Sequence, residues 1–128
     1  MGNVLLIAEH AHGNFPKTTL AGLTAAKTAA QHAGGKALAV VLADEADALA
    51  AELASYGVDV VAVEGPAFAH YLADAYTAAI ADVVKQKDVE IVVAAATAVG
   101  KDLAPRLAAR LNAAMAADVT GIVDAKTV

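Results

Sequence analysis

VEIVVAAATAVGKDLAPRLAARLN, running from Val89 to Asn112, is the stretch whose reading decides the fold. It opens on an unbroken apolar run, Ile91 to Ala96, too short to cross a bilayer and rich in the β-branched residues that suit a strand. A strand without polar alternation is buried on both faces. Covering both faces takes helices, so this one run implies a parallel sheet inside an α/β layer fold. Thr97-Ala98-Val99-Gly100 then reads as a turn at the strand's carboxyl end. Asp102 is placed to cap a new helix, and Pro105 follows where a missing N–H has no intrahelical partner. Gly100, between a buried strand and a capped helix, is expected to hold a positive φ or to let the backbone pass closely under the sheet edge.

The same grammar recurs on either side. Asn3 to Ala8 is an apolar run of strand length, ended by the turn formers of Glu9 to Asn14. Pro16 with Thr18 or Thr19 opens a helix that carries Leu20, Leu23, Ala26, Lys27 and Ala30 near helical spacing, and Gly34-Gly35 stops it. Ala37 to Leu42 makes the second strand. Asp44 begins a helix with Ala46, Leu49, Ala50 and Leu53 on one face, and Gly57 suits its left-handed end. Val58 to Val63 is the third strand. After Gly65-Pro66, one long helix is expected over Ala67 to Val84, with Leu72, Ala75, Tyr76, Ala79, Ile80 and Val83 as its apolar stripe. A fourth helix spans Leu103 to Ala114, and Val119 to Val123 is a fifth strand. Strict alternation predicts right-handed crossovers and a three-layer α/β fold around a mostly parallel, doubly wound, Rossmann-like sheet.

At 128 residues the chain fits one domain, and with 59% apolar but only 4% aromatic residues its core must be aliphatic and alanine-rich. A net charge of −5 without a basic tract argues against nucleic acid. Charges interrupt every apolar segment, so membrane insertion is not expected. The absence of cysteine removes disulfide and thiolate chemistry, and the N-terminus lacks a signal-peptide pattern. Met1-Gly2 is no myristoylation signal, because position 6 is Leu. A cytoplasmic address is the default reading.

In an open α/β sheet, ligands bind beyond the carboxyl ends of the strands where strand order reverses. Two loops qualify, Glu9 to Asn14 and Thr97 to Asp102, the second at a helix N-terminus able to attract an anion. Asp102 as a cap would compete for those N–H groups. Gly34-Gly35-Lys36 is not a phosphate loop, since the order is helix, glycines, strand; a helix C-cap accounts for it better. No G-x-G-x-x-G follows any strand. Glu9, His10 and His12 could begin a metal site, but no third ligand cluster accompanies them, and solvated loop histidines are the better reading. Tyr71 and Tyr76, five apart on one helix, point in different directions, which disfavours an aromatic electron path and leaves Tyr76 to the core. Asp44, Glu45, Asp47 and Glu52 suit the N-terminal half of a surface helix.

AAATAVGKDLAPRLAARL followed by ADVTGI closely resembles the N-terminal domain of the electron transfer flavoprotein alpha subunit. VLLIAEH, PKTTLAGLTAAK and AHYLADAY look like that family too, so the resemblance covers nearly the whole chain. Lys101 departs from it, where Arg is frequent, and Val128 falls before the family's flavin-binding domain would begin. The resemblance implies one N-terminal domain over residues 1–128, adenine nucleotide alpha hydrolase-like in fold, that supplies shape and subunit contact to an electron carrier rather than an enzyme. It implies FAD held mainly by the missing domain and a beta subunit partner carrying AMP. Electrons would pass from flavin dehydrogenases to a quinone-linked or other redox acceptor, in the bacterial cytoplasm or the mitochondrial matrix. Thr97, Gly100, Asp102, Pro105 and Arg106 are expected to set the turn and the helix after it, with Thr97 and Gly100 at most a vestigial cofactor pocket and no catalytic or metal residue. The alternative is a free-standing nucleotide-binding module of universal stress protein type, and a small-molecule enzyme stands behind it. Whether the reading frame continues past Val128 separates the first two.

Overall fold

Val4, Leu5 and Leu6 are fully buried and Ile7 nearly so, which leaves the first strand, β1 (Asn3–Ile7), without a solvent face. A computed structural model of the chain describes residues 3–11, 13–95, 97–111, 114–116 and 120–124. After β1 come α1 (Lys17–Ala33), β2 (Ala37–Ala43), α2 (Asp47–Ala54) and β3 (Asp59–Glu64). A short 3₁₀ turn (Pro66–Phe68) leads to α3 (Ala73–Gln86), β4 (Val89–Ala95), α4 (Ala98–Leu111), β5 (Ala114–Ala116) and β6 (Thr120–Asp124). The sheet order is β3-β2-β1-β4-β6-β5. β1 to β4 are parallel, so the order reverses between β1 and β4.

Strand alternation sorts the core into two slabs. Leu5, Leu38, Val40 and Val92 face α3 and α4, where they meet Ile80, Val84, Leu103 and Leu107. Val4, Leu6, Ala39, Val41 and Val93 face α1 and α2 and meet Leu23, Ala26, Leu49 and Leu53. Each fully buried Leu or Val contributes roughly 1.5–3 kcal/mol of transfer free energy. This is the expected three-layer α/β architecture. Gly34 ends α1 at φ 74°, in the left-handed conformation that a C-cap glycine adopts, so the Gly-Gly-Lys sequence is a helix stop.

The local boundaries differ where tertiary contacts intervene. α2 starts at Asp47 rather than Asp44, because Glu64 at the end of β3 accepts the Ala46 N–H at 3.0 Å and holds the preceding turn. The single helix expected from Ala67 is broken. Leu72 is extended, with φ −125° and ψ 114°, and is 54% exposed instead of lying on an apolar stripe. The break is held by Tyr76, whose hydroxyl donates to the Phe68 carbonyl at 3.1 Å and fixes residues 66–72 as a strap across α3.

α4 begins at Ala98, four residues before the expected cap. Thr97 Oγ1 accepts the Gly100 N–H at 3.1 Å, the bond an N-cap residue makes to the third helical position. Asp102 therefore lies inside the helix, and so does Pro105, whose ring opposes the Lys101 carbonyl. Pro105 is on the exposed side, where water can serve that carbonyl. The helix ends at Leu111, not Ala114; Ala114–Ala116 is a strand instead. The last expected strand is observed as Thr120–Asp124, antiparallel to both β4 and β5. His12, Ala96, Asn112, Val119 and Val128 lie outside the described residues.

Of the two roles open to Gly100, the close approach is the one observed. Its φ is not positive, but a Cβ built on it would overlap the carbonyl oxygen of Ala95. Gly100→Ala is expected to cost about 1–3 kcal/mol through this overpacking. Urea unfolding measures the cost, and an unchanged midpoint would contradict the close approach.

Candidate functional site

The reversal between β1 and β4 places two loops side by side, the one after Ile7 and the one after Ala95. Both contribute to a clasp across the crevice. Thr97 donates its hydroxyl proton to Glu9 Oε2 at 2.5 Å while its oxygen accepts from the Gly100 N–H. The Glu9 carbonyl accepts from the hydroxyl of Thr19, a residue of α1 that is 1% exposed. One residue, through its carboxylate and its backbone carbonyl, thus joins the end of β1 to the start of α4 and to α1. A helix N-terminus carries a partial positive charge that favours an anion, and at α4 the neighbouring anion is Glu9 of the chain itself.

His10 is not a solvated loop side chain. Its Nε2 donates to the Leu42 carbonyl at 2.9 Å, and its ring meets Phe15 edge-on at 6.4 Å. His32 lies on α1, His70 lines the same cleft as Glu9 and His10, and among the described residues no three His, Asp or Glu side chains converge as a metal site would need. A cleft of about 400 Å³ opens between this loop and the strap, lined by Ile7, Glu9, His10, Leu42, Tyr71, Tyr76 and Val99 among others.

Tyr71 precedes α3 instead of belonging to it, so the divergence expected of two helical residues does not arise. The Tyr71 and Tyr76 rings meet edge to face at 5.1 Å, and both pack against the core. Tyr71 donates its hydroxyl to Asp102 Oδ2 at 2.6 Å, and Arg106 Nε donates to Oδ1 at 3.2 Å. Burial, then the hydrogen bond to Asp102, push the Tyr71 phenol well above its ordinary value of 10.0. Asp102 moves the opposite way, held below the usual carboxylate range by the Tyr71 hydrogen bond and next by Arg106. Burial also raises Tyr76. The Arg106 pair is half exposed and adds little on its own. Asp102 is therefore a tether for the strap, a role that no local spacing announces because 31 residues separate it from Tyr71.

Fold and site together define an open, doubly wound α/β domain whose crevice at the strand reversal is bridged by its own side chains. The electron transfer flavoprotein domain model matches residues 4–128, and the chain belongs to that family. It is similar to the electron transfer flavoprotein subunit alpha of Clostridium acetobutylicum, at 35% identity over 93% of this chain and 36% of the relative. It is also similar to the acryloyl-CoA reductase electron transfer subunit beta of Anaerotignum propionicum, at 32% identity over 92% of this chain and 32% of the relative. The probable mitochondrial electron transfer flavoprotein subunit alpha of Schizosaccharomyces pombe is 30% identical over 98% of this chain and 36% of the relative. The chain spans about a third of the length of these relatives.

The Tyr71 tether has a pH signature. Its folded value lies above the ordinary 10.0, so its contribution to stability is complete below about pH 10 and is lost as the pH rises towards the folded value. Asp102→Asn removes the accepting charge and is expected to lower the pH at which Tyr71 ionises. Tyrosinate absorbance during an alkaline titration reports the change, and superimposable curves for the two proteins would rule the tether out.

Proposed function

We propose that this chain is the N-terminal structural and subunit-interaction domain of an electron transfer flavoprotein alpha subunit. It would work in a heterodimer with a beta subunit, carrying electrons from flavin dehydrogenases to a quinone-linked or other redox acceptor. On this reading the chain is part of an electron carrier and not an enzyme. FAD would be held mainly by a further domain of the alpha subunit, and AMP by the beta subunit. Named bacterial and mitochondrial relatives accord with a cytoplasmic or matrix address. Among the described residues, no helix is long and apolar enough to cross a membrane.

The observation that carries the proposal is the carboxylate in the crevice. A flavin or nucleotide diphosphate at the reversal needs backbone N–H groups and cations, as helix N-terminal phosphate sites supply. Here Glu9 sits beside the α4 N-terminus, Thr97 is engaged on both sides, and among the described residues no Lys or Arg lines the adjoining cleft, whose one exposed imidazole is that of His70. The Glu9 carboxylate at this helix N-terminus weighs against the phosphates of FAD there. The same charge weighs against a nucleotide-binding module of universal stress protein type.

The chain is expected to stay colourless after incubation with excess FAD, to bind no AMP and to co-purify with its cognate beta subunit. Visible spectroscopy, equilibrium dialysis and size-exclusion chromatography provide the three readouts. Stoichiometric flavin or saturable AMP binding on the isolated chain would overturn the cofactor assignment. Absence of affinity for the beta subunit would overturn the interaction role.

A further inference from the structure

The cleft beside Glu9 has a chemical character of its own, independent of the subunit role. Its floor is apolar, formed by Ile7, Leu42 and Val99, and the Tyr71 and Tyr76 rings line it. About 400 Å³ is enough for a small organic molecule. The half-buried side-chain donors that line it are already committed. Tyr71 donates to Asp102, Tyr76 to the Phe68 carbonyl and His10 to the Leu42 carbonyl. Among the described residues no Lys or Arg lines the cleft, and the one further titratable donor on its lining is His70, exposed at its outer edge on the strap.

What it offers instead is acceptor capacity and negative charge. An ionised carboxylate has about four lone-pair sites, and Thr97 takes one of those on Glu9. Glu9 is only partly buried and lines the cleft, so its remaining capacity is not spent within the core. A carboxylate beside two aromatic rings over an aliphatic floor is complementary to a cation on an apolar body. The ammonium would gain a charge-assisted hydrogen bond and the tyrosine rings would add cation–π attraction.

We propose that the cleft between the β1–α1 loop and the 66–72 strap binds a small organic cation, a primary ammonium carried on an aromatic or branched aliphatic body. The ammonium bonds to Glu9, and the body lies against Tyr71 and Tyr76 above Ile7 and Leu42. Phosphorylated and other anionic molecules are excluded by the same carboxylate.

Phenylethylammonium is a suitable probe, followed by two-dimensional NMR on the 128-residue chain. Saturable shifts are expected at Glu9, His10, Tyr71 and Tyr76, with the neutral isostere phenylethanol and the anion AMP at least about tenfold weaker. Glu9→Gln keeps an acceptor for Thr97 but removes the charge, and it should weaken the probe by about tenfold or more, the worth of a charge-assisted hydrogen bond. If that variant fails to fold, Ala69→Phe on the exposed strap fills the cleft and should abolish saturation. The proposal is overturned by absence of saturable shifts, by equal binding of phenylethanol, by tighter binding of AMP, or by undiminished binding in the folded variant. None of these results depends on the beta subunit, so the cleft and the subunit role fail separately.

Discussion

Three adjacent strands, β2, β1 and β4, give almost no surface to water, and the remaining architecture answers to that constraint. Val4 to Leu6, Ala39 to Val41 and Val92 are 0% exposed, so helices must cover both sides of the sheet. α1 and α2 take one side and α3 and α4 the other. The change of side coincides with the reversal of strand order between β1 and β4, which is where a crevice must form. The aliphatic, alanine-rich composition suits this arrangement, because helices with small inner side chains can lie close to a sheet.

At that crevice the chain spends its polar groups on itself. Thr97 caps α4 and at the same time donates to Glu9, while Glu9 reaches back through its carbonyl to Thr19 of α1. Gly100 is required in the same turn because the first helical turn passes against the Ala95 carbonyl. A turn that in other doubly wound proteins is open to phosphate is here a joint between elements.

How far the sequence could be read follows the range of the interactions involved. The run from Ile91, its relatives at Asn3 and Ala37, and the glycine stop at Gly34 are local patterns, and each is found in place. The start of α4 was harder to read, because Thr97 and Asp102 are both good capping residues and Pro105 follows Asp102 at a spacing that imitates a helix start. Asp102 is drawn instead into the bond with Tyr71, 31 residues away. Phe68 and Tyr76 break a helix that apolar periodicity alone would continue. Ala114–Ala116 has no strand signature in its residues and is defined by pairing with β6. The two loops of the crevice were legible from topology; the Glu9–Thr97 bond joining them spans 88 residues and was not.

The most direct test of the account is a double-mutant cycle on this pair, with Glu9→Ala and Thr97→Val measured singly and together by urea unfolding. The cycle removes the separate costs of the cap and of the loop and isolates the contact across the reversal. A coupling of about 1 kcal/mol or more is the predicted result, in line with a hydrogen bond to a charged, partly buried acceptor. Strict additivity of the two substitutions would show that the loops are not joined there and would contradict the bridged crevice.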